Sequence, residues 1–141
     1  MVVSTVDKYA YLVERIYEKT LSSELSWADS PRKGAFLTHV GGYRVEIYTE
    51  LRGSGDEDVF ISVTNNDGKT LDSFSDVDLA DSIPRISGFR SYFRLMNDLL
   101  KRAERVSSGA EKVLDNVLES LGVSMSDVPE RKIRPSDEIP F

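Results

Sequence analysis

The amino-acid sequence predicts an α+β fold: an N-terminal helix, a four-stranded antiparallel β-meander, and two C-terminal helices packed on one face of the sheet. Three observations carry that prediction. Apolar residues recur every three or four positions up to about residue 25, then every second position between 36 and 74, and every three or four again from 89 onward. Glycine turn signals divide the middle stretch into hairpins. The chain is also long enough, at 141 residues, for one domain with a real core.

Each element has its own local reason. Over 6–25, Val6, Tyr9, Leu12, Val13, Ile16, Tyr17 and Leu21 form one apolar stripe, and Ser4 or Thr5 is placed to cap it. Pro31 and Gly34 punctuate "ADSPRKG", with Trp27 just before it as a core plug. "FLTHV" and "YRVEIYTELR" flank Gly41-Gly42, a two-residue turn that tolerates positive φ at both positions. In the second of these strands Tyr43, Val45, Ile47, Thr49 and Leu51 point to the core. Arg44, Glu46, Tyr48, Glu50 and Arg52 point to water. Asp67-Gly68 turns "VFISVTN" into "KTLDSF".

After a polar connector holding Pro84, Phe89, Tyr92, Phe93, Met96, Leu99, Leu100, Ala103 and Val106 give the longest helical stripe. Ser108 and Glu111 have the spacing of a capping box for a last helix, whose stripe is Val113, Leu114, Val117, Leu118 and Leu121, with Gly122 as its stop. The domain is expected over 1–123. Residues 124–141, with Pro129, Pro135 and Pro140, are expected as a tail.

Composition narrows the function. With no cysteine, disulfide staples, thiolate metal sites and cysteine nucleophiles are all excluded. No leader-like apolar segment opens the sequence and no run approaches a bilayer span, so a cytoplasmic protein is expected. Net charge is −6 and uneven: 35–84 carries three basic side chains against ten acidic, whereas 85–121 carries seven against five. An acidic middle repels phosphate, which speaks against direct nucleic-acid binding there.

Most catalytic motifs fail on spacing. "DGKT" has the Gly-Lys-Thr of a phosphate loop but Val63 where its first glycine belongs, and a strand rather than a helix afterwards. The same turn aligned as a calcium loop puts Val63 first and Phe74 twelfth, where ligands are required. Asp72, Asp76, Asp78 and Asp81 are dense enough to hold Mg²⁺ but fit solvent-facing or helix-capping roles better. His39 is the sole histidine and reads as a packed or edge residue. No enzyme activity and no cofactor are expected.

Two surfaces stand out as binding candidates. Arg90, Arg94, Lys101 and Arg105 fall within an arc of about 60° opposite the apolar stripe of the long helix. Such a ridge is solvated, or meets an acidic protein partner or a second copy of the chain; phosphate binding is the weaker alternative. The second candidate is "SDEIPF", 136–141. It resembles the acidic docking tail of bacterial single-stranded DNA-binding proteins: Asp137 and Glu138 match the acids, and Ile139, Pro140 and Phe141 the apolar tip. The resemblance covers these six residues alone. It implies a docking peptide for replication, recombination and repair enzymes, with a buried aromatic anchor and acids that steer the encounter.

The function expected is therefore a non-enzymatic protein–protein interaction module of bacterial or phage type, accessory to DNA maintenance through its tip. The alternative is a small acidic chaperone or immunity-type protein covering one dedicated partner with the sheet face Arg44, Glu46, Tyr48, Glu50 and Arg52.

Overall fold

The computed structural model describes residues 3–53 and 55–129. Helix α1 (Thr5–Leu21) is followed by strands β1 (Ala28–Asp29), β2 (Phe36–Val40), β3 (Tyr43–Leu51), β4 (Glu57–Thr64) and β5 (Thr70–Ser75). A 3₁₀ turn at Asp76–Leu79 leads towards α2 (Tyr92–Ser108) and α3 (Ala110–Ser120), and a second turn spans Met125–Asp127. The strands form one antiparallel sheet in chain order. The α+β class and the meander are as expected.

The sheet has five strands rather than four. Ala28 and Asp29 pair with Leu37 and Phe36. A two-residue strand is too short to show alternation, and the turn residues beside it conceal it.

The two hairpins form where the glycines place them. Gly41 and Gly42 both have positive φ, 58° and 86°, as the tight turn between antiparallel strands requires. At the second turn the Asn65 side-chain oxygen accepts from the backbone N–H of Asp67 and of Lys69.

Alternation then sorts the faces. Val45, Ile47, Val59, Ile61 and Phe74 line the inner face, where α1 contributes Val13, Ile16 and Tyr17 and α2 contributes Leu95, Met96, Leu99 and Ala103. Trp27 fills the junction as expected, its indole N–H donating to Thr20 Oγ1 at 3.0 Å. Three residues of β3 depart from the simple alternation. Tyr43 is exposed at the strand start, beside the Gly41-Gly42 turn. Leu51 is exposed at the strand end, and Tyr48 is buried on the outer face, stacked on Phe60 with the Arg32 guanidinium 4.1 Å from its ring centre.

Helix boundaries shift for identifiable reasons. Ser4 caps α1 by accepting from Asp7 N–H, and the helix stops at Leu21 rather than about 25. Ser91 caps α2 by accepting from Arg94 N–H, so Phe89 and Arg90 lie before the helix. Phe89 is nevertheless buried, edge-on to Tyr17, whereas Phe93 is exposed.

The capping box at Ser108 and Glu111 does not form. Gly109, at φ 77°, ends α2 in the left-handed conformation and begins α3 without a side-chain cap, while Glu111 turns back to Arg105. Helix α3 does not pack on the sheet; it touches α2 and buries none of its residues. The start of the expected tail is ordered locally, with the Ser124 N–H and hydroxyl both donating to Asp127.

Candidate interaction surfaces

The basic ridge is shorter than the sequence pattern indicates. Arg94, Lys101 and Arg105 lie on α2, with Lys101 half-buried, and Arg90 sits in the turn ahead of the cap. Arg105 is tied to Glu111 of α3 at 2.7 Å. Beside the ridge the fully enclosed Asp98 accepts from Arg102 Nε at 2.7 Å, so part of the positive charge of α2 is directed inward. Asp137, Glu138, Ile139, Pro140 and Phe141 lie outside the described residues.

The outer face of the sheet spends most of its charge on itself. Ser30 hydrogen-bonds Glu46, Arg32 pairs with Glu50 at 3.3 Å, and Arg52 lies 3.1 Å from Asp58. Arg44 reaches the Asn66 carbonyl at 3.5 Å. His39 is exposed near the end of β2 opposite Arg44, an edge residue rather than a packed one.

Helix α3 is the reverse case: a surface whose apolar side is unspent. Gly109 separates it from α2, and it ends at Gly122, φ 84°, where the N–H groups of Gly122 and Val123 return to the carbonyls of Glu119 and Leu118. One edge of the helix faces the body. There Glu111 and Asp115 border a pocket of about 300 Å³ that also touches Thr20 and Arg102.

The apolar side of α3 points away. Val113 and Leu121 are 60% and 73% exposed, Leu114 and Val117 about half exposed, and Met125 and Val128 beyond them are exposed as well. Apolar residues recur every seven positions across Gly109 (Met96, Ala103, Ala110, Val117, and beside them Leu99, Val106, Val113), so the pattern runs on from α2 while its burial stops.

No family model, no curated protein and no solved structure matches this chain.

The carboxylates of β5 and of the turn that follows it are engaged within the chain. Asp72 accepts from the Tyr9 hydroxyl at 2.9 Å, Asp76 from Val59 N–H at 2.8 Å, and Asp78 from Ser75 N–H at 2.9 Å. Burial, and then the neighbouring Asp58 carboxylate, hold the Asp76 carboxyl above the usual range. Among the described residues no three metal-ligating side chains come together.

Two further carboxylates, Glu14 and Asp98, are buried as acceptors. Glu14 takes the Tyr92 hydroxyl and Arg85 N–H, both at 2.8 Å. Among the described residues no helix is long and apolar enough to cross a membrane.

The stripe Val113, Leu114, Val117, Leu118 and Leu121, expected to pack on the sheet, is exposed except for the half-buried Leu118. The signal against that expectation was length. Helix α2, with 17 residues, already runs about 25 Å, enough to cover a sheet beside α1, so a further stripe has no face left to cover.

Proposed function

We propose that this chain is a non-enzymatic protein-interaction module that meets its partner through the apolar side of α3. One observation carries the reading: an amphipathic helix of 11 residues, capped at its end and tied to α2, buries none of its residues fully and leaves Val113, Leu114 and Val117 exposed. Exposed apolar groups gathered on one element mark interaction sites more often than scattered ones do. Of the three buried carboxylates among the described residues, Glu14 and Asp98 are engaged as acceptors that hold α1, α2 and the connector together, and Asp58 lies 3.1 Å from the Arg52 guanidinium.

A second reading rests on 136–141. Its Asp137-Glu138 acids and Ile139-Pro140-Phe141 tip resemble a docking tail, which would make the module an accessory of DNA-replication and repair enzymes in a bacterial or phage setting. The sheet face has less support, because Glu46, Glu50 and Arg52 have partners within the chain.

A pull-down from bacterial lysate separates the three. It would use the intact chain, a Val117→Glu variant, a copy lacking Phe141, and an Arg44→Ala/Glu46→Ala variant. Loss with Val117→Glu alone supports α3; loss of replication and repair enzymes on removing Phe141 supports the tip. A partner list altered only by the Arg44/Glu46 variant moves the site to the sheet.

A further inference from the structure

We infer that the occupant of the α3 face is a second copy of this chain, its α3 packed antiparallel on the first about a two-fold axis that passes by Val117. The inference rests on the reading of α3 as a docking surface and adds its partner.

Symmetry of spacing is the first argument. Val113, Val117 and Leu121 are four residues apart on either side of the centre, so antiparallel pairing sets Val117 on its own image and Val113 against Leu121 of the second copy. A two-fold interface requires this kind of self-complementarity. Rows of residues spaced by four are also the ridges that interdigitate when two helices cross at about −50°, with axes about 8–10 Å apart. The residue at the crossing is a valine, small enough for close approach.

The rim is the second argument. At about 100° per residue, the free flank of the apolar side is Asn116 and Ser120, both uncharged. Ser120 already donates to the Asn116 carbonyl at 2.9 Å. Asp115 falls towards the other flank, Glu119 and Lys112 fall on the back about 160° and about 140° from Val117, and Glu111 is held by Arg105 at 2.7 Å. A two-fold axis brings like against like, so a charged rim would repel its own image, whereas a neutral one does not. A partner recognised by charge would call for the opposite arrangement.

Size sets the strength. A face of four to six half-exposed apolar side chains amounts to roughly a few hundred Å² per copy, below the ~800 Å² per partner of a standard stable interface, so the pairing is weak and concentration-dependent.

The chain contains no cysteine, so one introduced thiol reports without background. Val117→Cys is expected to form a covalent dimer under mild oxidation, because helices crossing at that residue bring the two Cα atoms within the roughly 7 Å a disulfide spans. Glu119→Cys, on the back of α3, is expected to remain single. A mixture of Val113→Cys and Leu121→Cys chains should cross-link one to the other.

Sedimentation equilibrium of the intact chain should show a mass rising from 15.8 kDa with concentration. Val117→Glu should hold the monomer mass with an unchanged circular dichroism spectrum, since the site is exposed. The inference is overturned if the intact chain stays at monomer mass up to about millimolar concentration, where even weak pairs form. It is equally overturned if Val117→Cys cross-links no faster than Glu119→Cys. Should the intact chain be monomeric while Val117→Glu still loses a lysate protein, the docking reading survives and only the second copy falls. With neither effect, both fall.

Discussion

The Tyr17 hydroxyl donates a 2.6 Å hydrogen bond to the Asp98 carboxylate, joining α1 to α2 across 81 positions of sequence. Arg102, one turn beyond Asp98, donates to the same carboxylate oxygen and to the Tyr17 oxygen at 3.1 Å. Burial, and then the bond to Asp98, push the Tyr17 phenol far above its usual range, so it stays a donor throughout ordinary conditions. Because Asp98 is wholly enclosed, its donors cannot be replaced by water without rearrangement. Tyr17→Phe, which deletes one donor to a charged acceptor, should cost about 1.5–3 kcal/mol in urea unfolding. Arg102→Met, which removes the cation itself, should cost more, about 3–5 kcal/mol. A loss below about 0.5 kcal/mol for Tyr17→Phe, the scale of an ordinary surface substitution, would show that the bond contributes little.

Glu14 does comparable work for the connector ahead of α2. Its Oε2 accepts from Arg85 N–H and from the Tyr92 hydroxyl, fixing the backbone after Pro84 to α1. Glu14→Gln keeps the shape and a carbonyl oxygen but gives up the charge, and should cost about 1–2 kcal/mol, the difference between charged and neutral hydrogen bonding. The distinguishing readout is amide hydrogen exchange. Arg85 should exchange faster in the variant, while amides at the centre of β3 slow or quicken only with global stability. Unchanged protection at Arg85 would place the anchor elsewhere.

The inner face of the sheet was legible because alternation is a strict period of two: Val45 and Ile47 in β3 and Phe74 in β5 point where it says. The hairpins were legible because only glycine tolerates the φ of Gly41 and Gly42 at no cost. Three features were not. β1 is shorter than any period. Glu14 and Asp98 carry the residue type expected on the solvent side, and the side chains that enclose them lie 78 and 81 positions away, beyond any local pattern. The exposure of Val113 and Val117 depends on where Gly109 sends the chain, and a stripe of valine and leucine reads the same whether a core or another molecule covers it.

Asp76 makes a pH-dependent prediction. Its folded carboxyl is held above the usual range by burial first and by Asp58 as well, even though its Oδ1 accepts from Val59 N–H. A raised folded value means that the native state binds the proton more readily than the unfolded chain. Stability from this group therefore falls as pH rises from about 4, near the unfolded value, through the raised folded one, and the cost is complete above both. Asp76→Asn retains an oxygen for Val59 and removes the charge. It should melt higher than the parent at pH 7, and the gap should close below about pH 4. Thermal midpoints taken across that range test it; a variant that melts lower at neutral pH shows that the charged hydrogen bond outweighs the burial.

Gly109 supplies the sharpest test of how α3 is presented. Its φ of 77° lies where a Cβ is strained, yet a Cβ built there would meet nothing within 4 Å. Any penalty on Gly109→Ala is therefore backbone alone, about 1–2 kcal/mol, or several degrees in the thermal midpoint. Gly109→Asn, whose short amide tolerates the left-handed region, should lose less. The order glycine, asparagine, alanine is thus the signature of a held bend. An alanine variant as stable as the parent would mean that the chain has escaped the strain by running helix straight through residue 109. The heptad pattern from Met96 to Val117 permits that, and far-ultraviolet circular dichroism would register the added helix. In that form the apolar side of α3 would lie in line with the stripe of α2 instead of turned from it. Cross-linking through Val117→Cys would then weaken as the bend is lost, linking the geometry at one glycine to the pairing of two chains.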